Sequence, residues 1–67
     1  MKLSINGQLE QFDDAALSIT DLLIRYNARE RKAAVAVNGR FVPRSQYDTT
    51  QLQADDEVEI VSPMQGG

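Results

Sequence analysis

The stretch SITDLLIRY, residues 18–26, decides the fold because it is the one clear helix signal in the chain. Its apolar residues recur at i, i+3, i+4 and i+7, which places them on one face of an α-helix. These residues are Ile19, Leu22, Leu23 and Tyr26. Ser18 is a favoured N-cap residue, and Asp21 stands where a capping box has its acid, although Asp is shorter than the usual Glu. We expect the helix to end near Arg25 and Asn27 and its apolar stripe to form the core, rather than to dock a partner helix.

A β-hairpin is predicted on each side of this helix. Asn-Gly is the strongest short hairpin signal, because both residues tolerate positive φ, and it occurs at residues 6–7 and 38–39. The predicted strands around these turns are residues 1–5 with 8–12, and residues 33–37 with 40–42. Pro43 should end the last of these strands because it cannot donate to a ladder. Leu9 and Phe12 are three apart, so a regular pleat cannot point both inward. We expect Phe12 in the core and Leu9 outside it or beside a bulge.

The last third of the chain is predicted to contain an irregular connection and one further strand. Residues 44–48 are typical of a turn or a short helical piece, and Leu52 should fill the edge of the core. An acidic turn then leads into a strand over residues 58–61, in which Val58 and Ile60 share one face and Glu59 and Val61 the other. A hairpin, one helix and more strands predict a single α+β domain over residues 1–62, with the helix packed on one face of the sheet. Residues 63–67 form a C-terminal tail that ends in Gly-Gly.

Composition excludes most functions for this domain. The chain has 67 residues, a net charge of −3, and neither cysteine nor histidine, so disulfides, thiolate metal sites and histidine catalysis are excluded. The negative charge argues against nucleic-acid binding, and the basic cluster Arg25, Arg29, Arg31 and Lys32 is interpreted as solvated helix end and loop rather than as a phosphate site. No apolar run approaches the roughly 20 residues of a membrane span.

The acidic residues are interpreted mainly as solvated turns. Asp13 and Asp14 are adjacent, so their side chains diverge, and no third ligand for a metal is visible nearby. Asp55, Asp56, Glu57 and Glu59 admit three alternatives to a solvated turn: a partner-facing patch, a metal site or an acid/base pair. Catalysis is the least favoured, because nothing apolar brackets these carboxylates to perturb their pKa values.

Three stretches together resemble the small sulfur carrier proteins of thiamine biosynthesis, a family with the ubiquitin-like β-grasp fold. These stretches are residues 5–7 (ING), residues 35–44 (VAVNGRFVPR) and residues 58–67 (VEIVSPMQGG). The resemblance covers nearly the whole chain, and it implies a mixed sheet of about five strands with the single helix on one face. One departure concerns the turn before the last strand, which is usually Asp-Gly-Asp in the family and is Ala54-Asp55-Asp56 here. If Asp55 must adopt the left-handed conformation of that glycine, the strain costs about 1 kcal/mol.

The resemblance implies a function for the tail. In the family an adenylating, E1-like enzyme uses ATP to activate the terminal carboxylate, here that of Gly67. A sulfur relay that includes an enzyme such as a cysteine desulfurase then forms a thiocarboxylate, which supplies sulfur to thiazole synthase. Met64, Gln65 and Gly66 are the residues of the tail expected to be recognised beside Gly67. Gly66 and Gly67 have no Cβ that could clash in a narrow active-site channel. The protein itself is expected to be a cytoplasmic carrier with no catalytic groups and no permanently bound cofactor.

The surface that partners recognise is predicted near the last strand. Phe41, Val61 and Met64 are the candidate apolar anchors, because aromatic and Met residues are frequent at interfaces, and Arg40 and Arg44 are candidate rim contacts. For Phe41, burial in the core is an equally supported alternative. Three other functions stay open: the small subunit of a molybdopterin-type synthase, a ubiquitin-like protein modifier, and a plain interaction domain with an inert tail.

Overall fold

The computed structural model of the protein describes residues 1–28 and 33–61. The elements occur in the predicted order of strand, strand, helix, strand, strand, irregular connection and strand. They are β1 (Lys2–Ile5), β2 (Gln8–Gln11), α1 (Ile19–Arg25), β3 (Ala34–Val37), β4 (Arg40–Val42), a short 3₁₀ helix (Arg44–Gln46) and β5 (Glu57–Val61). The predicted boundary between residues 62 and 63, and the tail beyond it, lie outside the described residues.

The five strands form one mixed sheet in the order β2-β1-β5-β3-β4. The two hairpins, β1 with β2 and β3 with β4, are antiparallel, and β5 pairs antiparallel with β3 and parallel with β1. The last strand therefore lies at the centre of the sheet, between the two hairpins. As a consequence, the chain leaves the described fold from the middle of the sheet.

Both Asn-Gly turns have the conformation that the sequence predicts. Asn6 and Asn38 have φ of 51° and 52°, and the glycines that follow have φ of 85° and 84°. Positive φ at both central residues is the signature of the type I′ turn, whose twist matches that of the flanking strands. A side chain at either glycine would meet open space, so the left-handed backbone, and not crowding, is what requires glycine there.

The helix begins and ends where its sequence predicts. The Ser18 hydroxyl accepts from the Asp21 N–H at 3.1 Å, and the Asp21 carboxylate accepts from the Ser18 N–H at 3.1 Å, so the capping box is complete. Asn27 follows the helix with φ of 53°, a left-handed residue of the kind that ends helices. Ile19, Leu22 and Leu23 are buried as expected.

Tyr26 was predicted to belong to the buried stripe of the helix, and this prediction is wrong, because Tyr26 is 41% exposed. It lies one residue beyond the last helical residue, Arg25, so the helical spacing that predicted its burial no longer applies in full.

The core lies between α1 and one face of the sheet. Its buried members from the strands include Leu3, Ile5, Val35 and Val58, and Phe12 is buried at the end of the first hairpin while Leu9 is exposed, as predicted. Leu52 fills the edge of the core, also as predicted. Leu17, Ala28 and Tyr47 are also buried in the core, although the sequence predicts none of the three there.

The irregular connection between β4 and β5 is pinned to the helix start and to the core. The Leu52 N–H donates to the Leu17 carbonyl at 2.8 Å, and the Ile19 N–H donates to the Thr50 carbonyl at 3.2 Å. Asp56 closes the turn before β5 by accepting from the Gln53 N–H at 2.8 Å. Asp55 has φ of 71°, so it does adopt the left-handed conformation that its family position requires.

Candidate functional site: the open sheet face and the end of the chain

The face of the sheet away from the core carries exposed apolar side chains. Strand residues alternate between faces, so the residues next to buried Val35 in β3, which are Ala34 and Ala36, belong to this second face. The register places Phe41 of β4 and Glu59 of β5 on either side of Ala36, and Val61 beside Ala34. We call the surface formed by Ala34, Ala36, Phe41, Glu59 and Val61 the open face.

Phe41 and Val61 are the prominent apolar side chains of the open face. Phe41 is 72% exposed and Val61 is 55% exposed, whereas Ala36 between the two strands is nearly covered. The alternative that Phe41 belongs to the core is therefore wrong. The apolar surface that a partner could contact here is therefore that of Phe41 and Val61, and exposed apolar groups of this kind can mark interaction surfaces. The sequence signal for the two alanines was the small-apolar run of residues 33–37, in which alanine and valine alternate from residue 34.

Acidic side chains of β5 lie on the open face and continue beyond it toward the hairpin turns. Glu57 and Glu59 are exposed on β5. A depression of about 310 Å³ lies next to them between the two hairpin turns; it is lined by Ser4, Gly7, Gly39, Glu57, Val58 and Glu59. Within residues 1–28 and 33–61, no three Asp or Glu side chains are grouped so that they could hold a metal ion.

The acidic turn before β5 has a structural role. The Asp56 carboxylate accepts from the Asn38 side-chain amide at 3.0 Å as well as from the Gln53 N–H. Asp55 supplies the left-handed residue of the same turn. These two carboxylates are thus accounted for by the turn, and only Glu57 and Glu59 of the acidic stretch face outward from the sheet.

The two candidate rim arginines lie away from the centre of the open face. Arg40 pairs with Val37 in the register, so its side chain lies on the opposite side of edge strand β4 from Phe41. Arg44 is exposed in the 3₁₀ helix that follows Pro43. Neither arginine lies between Phe41 and Val61.

Another charged pair lies on the helix side of the molecule. Arg25 donates to both carboxylate oxygens of Asp14, at 2.8 and 2.6 Å, and its guanidinium stands 5.8 Å from the centre of the Phe12 ring. The hydrogen bonds from Arg25 lower the pKa of Asp14, and the same bonds raise the pKa of Arg25. Burial, followed by the nearby charge of Glu10, raises the pKa of Tyr26. Asp14 was predicted to be simply solvated, whereas it forms an ion pair that holds the loop before the helix to the helix end.

The residues predicted to react or to be recognised in the tail are not among the described residues. Met64, Gln65, Gly66 and Gly67 lie outside the described residues, and so do Arg29, Arg31 and Lys32 of the basic cluster. What the fold does establish is where the described chain ends: at Val61, on the open face, beside β3. In the part of the chain that is described, we find no helix long and apolar enough to cross a membrane.

Among the described residues, a central last strand in a mixed sheet and one α-helix packed on one face of that sheet define a ubiquitin-like β-grasp protein. The comparisons with known proteins narrow this class. A crystal structure of the thiamine biosynthesis protein (ThiS) from Geobacter metallireducens matches with a TM-score of 0.84 and 33% identity, covering all of both chains. An NMR solution structure of a thiamine biosynthesis protein from the same organism matches with a TM-score of 0.83 and 33% identity, covering all of this chain and 88% of that one.

The family model of the ThiS family matches residues 3–67, which include the two terminal glycines of the sequence. This chain belongs to the ThiS family. The resemblance to the small sulfur carrier proteins of thiamine biosynthesis is thereby confirmed at the level of the family, and so is the β-grasp fold with a mixed five-stranded sheet.

A longer protein also contains a matching segment. A thiazole synthase from Paramagnetospirillum magneticum is 37% identical over 67 residues, which is all of this chain and 20% of that protein. The chain thus spans about one fifth of the length of this relative.

Proposed function

We propose that this protein is a sulfur carrier for formation of the thiazole moiety of thiamine, with the carboxylate of Gly67 as the group that is modified. The observation that carries the proposal is the family match, which runs through the fold and on to Gly66 and Gly67. A chain with no histidine and no cysteine has few groups for catalysis of its own, whereas its terminal carboxylate is available for chemistry by other enzymes. We therefore regard the protein as a co-substrate rather than an enzyme.

The proposed chemistry begins with activation of a poor electrophile. One carboxylate oxygen of Gly67 attacks the α-phosphorus of ATP, pyrophosphate leaves, and an acyl-adenylate forms in the active site of an E1-like adenylating enzyme. The terminal sulfur of a cysteine persulfide, held on a relay enzyme such as a cysteine desulfurase, attacks the acyl carbon, and AMP leaves. A thiol then cleaves the resulting acyl disulfide by forming a new disulfide with the relay cysteine. The product is a thiocarboxylate on Gly67. ATP is a substrate of the activating enzyme in this scheme, and the carrier holds no cofactor.

Thiazole synthase is the proposed acceptor of the sulfur. The support is the thiazole synthase of Paramagnetospirillum magneticum, in which a segment as long as this chain is part of the same polypeptide. A carrier domain joined to an enzyme is presented to it at a high effective concentration. A separate carrier must instead bind its enzyme through its own surface.

The open face is the proposed docking surface for these partners. Phe41 and Val61 are exposed on it, and Val61 is the residue from which the chain continues toward Met64, Gln65 and the two glycines. A partner that covers the open face therefore also approaches the beginning of the tail. Arg40 and Arg44 lie outside that centre, where they could contact only the periphery of a partner. We expect these encounters to occur in the cytoplasm.

A loading assay tests the proposal. The protein is incubated with its adenylating enzyme, ATP, a cysteine desulfurase and cysteine, and its intact mass is measured. We expect the mass to increase by the difference between one sulfur and one oxygen, and we expect a variant that lacks Gly66 and Gly67 to stay unchanged. The loaded protein should then support thiazole formation by thiazole synthase.

Three results would contradict the carrier proposal. An unchanged mass with an adenylating enzyme that is active on another carrier would exclude loading. Loading that supports molybdopterin synthase but not thiazole synthase would identify the other sulfur carrier family. Covalent conjugates to lysine on a denaturing gel would instead identify a protein modifier.

A further inference from the structure

The end of β5 lacks a neighbouring strand on one side. Strand β1 ends at Ile5, which is paired with Val58, so β5 continues beyond its parallel partner. The Ser4 N–H donates to the Asp56 carbonyl and the Asn6 N–H to the Val58 carbonyl, which shows that alternate residues of β5 direct their backbone groups toward β1. The next residue in that alternation is Ile60. Its N–H and C=O are directed toward the β1 side, but β1 has already ended there.

The side chain of Asn6 takes the place of the missing strand. The Ile60 N–H donates to Asn6 Oδ1 at 2.8 Å, and Asn6 Nδ2 donates to the Ile60 carbonyl at 3.3 Å. A side-chain amide has the same donor and acceptor groups as a peptide bond, so it can satisfy both backbone groups of one residue. The left-handed conformation of Asn6, with φ of 51°, is the turn geometry from which the side chain reaches β5.

This contact lies at the root of the tail. Ile60 precedes Val61, and six residues follow Val61 to the end of the chain. Six residues can reach at most about 20 Å, so the direction in which the chain leaves Val61 limits the region that the terminal carboxylate can reach. Adenylation requires the carboxylate to meet ATP within a much smaller tolerance, of about 1 Å.

We infer that Asn6 is a positioning residue for the reactive terminus: its amide holds the last residues of β5 in the sheet and so restricts where Gly67 can be delivered. This inference rests on the proposed function. If Asn6 is lost, Ile60 and Val61 are held only by their pairing with β3, so the end of β5 becomes less ordered and the activating enzyme must order it whenever the carrier binds. Ordering on binding weakens productive association, so the effect should appear mainly in KM and not in the chemical step.

Asn38 provides a matched control. It is also followed by glycine in a type I′ turn, has φ of 52°, and binds β5 through its side chain. The Glu57 N–H donates to Asn38 Oδ1 at 2.9 Å, so this contact holds the beginning of β5 instead of its end. A substitution at Asn38 therefore removes this contact and the hydrogen bond to the Asp56 carboxylate, both at the beginning of β5, without releasing the root of the tail.

The test compares Asn6→Gly with Asn38→Gly, because glycine removes the side-chain amide and still adopts the left-handed turn. In hydrogen exchange, Asn6→Gly should speed exchange of the Ile60 amide about tenfold and leave Glu57 unchanged, whereas Asn38→Gly should do the reverse. In pyrophosphate exchange with the adenylating enzyme, Asn6→Gly should lower kcat/KM about tenfold, mainly through KM, and Asn38→Gly by less than about twofold. Asn6→Asp keeps the acceptor for the Ile60 N–H, so its kcat/KM should be lower than that of the wild type by no more than about threefold.

The outcomes separate this inference from the function on which it rests. If the enzyme does not adenylate the wild-type chain, both the inference and the proposed function are overturned. If the wild-type chain is adenylated and the two glycine variants have equal KM, Asn6 is a turn residue only and the inference alone is overturned. Should Asn6→Gly fail to fold, Asn6→Ser decides in its place, because a single hydroxyl cannot replace both groups of the amide: an Ile60 amide exchange rate and a KM equal to those of Asn38→Ser would reject positioning.

Discussion

The two faces of the central sheet use apolar side chains for different purposes. On the face toward the helix, Leu3, Val35 and Val58 are each at most 1% exposed, so they are removed from water by the fold itself. On the other face, Phe41 is 72% exposed and Val61 is 55% exposed, although both belong to the same sheet and Val61 lies on the same strand as Val58. The exposed side chains gain little from folding, so they remain available for contact with another protein.

This difference predicts that stability and recognition can be separated by face. A domain of this size is usually held by no more than roughly 3–5 kcal/mol, so a single core change can unfold it. Changes on the open face should leave that free energy nearly intact and should alter binding instead. The following substitutions test the separation, each with a matched control, and they are ordered from the largest expected effect to the smallest.

Leu22→Ala should have the largest effect. Leu22 is fully buried between α1 and the sheet, and removing such a side chain costs about 2–5 kcal/mol, comparable to the whole stability of a small domain. Ile24→Ala is the control, because Ile24 is on the same helix and is 49% exposed. Urea denaturation followed by circular dichroism should show Leu22→Ala largely unfolded and Ile24→Ala within about 1 kcal/mol of wild type. Equal losses from the two variants would contradict the assignment of α1 to the core.

Tyr47→Phe should have a smaller effect that arises from hydrogen bonding. The buried Tyr47 hydroxyl accepts from the Val35 N–H at 3.1 Å and donates to the Ala33 carbonyl at 3.2 Å. Its removal leaves two buried backbone groups without a partner, at a cost of about 1–3 kcal/mol in the free energy of unfolding. Tyr26→Phe removes a hydroxyl from an exposed tyrosine and should change that free energy by less than about 0.5 kcal/mol. A loss for Tyr47→Phe no larger than that for Tyr26→Phe would reject the role of the hydroxyl.

Tyr47 also illustrates what the sequence does not reveal. Its neighbours are polar, with no period of two or of 3.6, so a pattern argument has nothing to place it by. Its burial depends on the long connection folding back to the start of β3, which is a tertiary event. Leu17 was missed for the same reason, because its contact with residue 52 joins two parts of the chain that are far apart in sequence.

The predictable part of the fold consists of local signals. The two Asn-Gly turns, the capping box of Ser18 and Asp21, and the strand-ending Pro43 each act over a few residues, and each was placed correctly. For the candidate site, the sequence supplied Phe41 and Val61, but only the register showed that Ala36 lies between Phe41 and Glu59 and that Arg40 faces the other way. The Asn6 contact to Ile60 was equally hidden, because it joins residues 54 apart.

Phe41→Ala should weaken partner binding with little effect on stability. An exposed aromatic anchor at the centre of an interface contributes at least about 1–2 kcal/mol, so the Kd for the adenylating enzyme or thiazole synthase should rise about tenfold. Leu9→Ala is the control, because Leu9 is 67% exposed and lies on the same side of the sheet, opposite Ser4, but on edge strand β2 at the far end from β4. Calorimetric titration of both variants measures Kd, and thermal unfolding measures stability. A large loss of stability for Phe41→Ala, or equal Kd values for the two variants, would contradict the open face as the docking surface.

Asp14→Asn should have the smallest effect, and it should depend on pH. The hydrogen bonds from Arg25 hold the pKa of Asp14 below its ordinary value of 3.8, so the ion pair stabilises the folded state at pH values above 3.8. That contribution is lost as the pH falls through the lowered pKa, because the folded carboxylate is then protonated as the unfolded one already is.

Denaturation at a series of pH values should therefore show a small deficit in the free energy of unfolding for Asp14→Asn at pH 7 that disappears in acid. The deficit should also shrink at an ionic strength of about 1 M, where charges are screened over about 3 Å, since the pair is partly exposed. The adjacent Asp13→Asn controls for the loss of one negative charge, and a deficit equal to that of Asp14→Asn would show that net charge, and not the ion pair, is responsible.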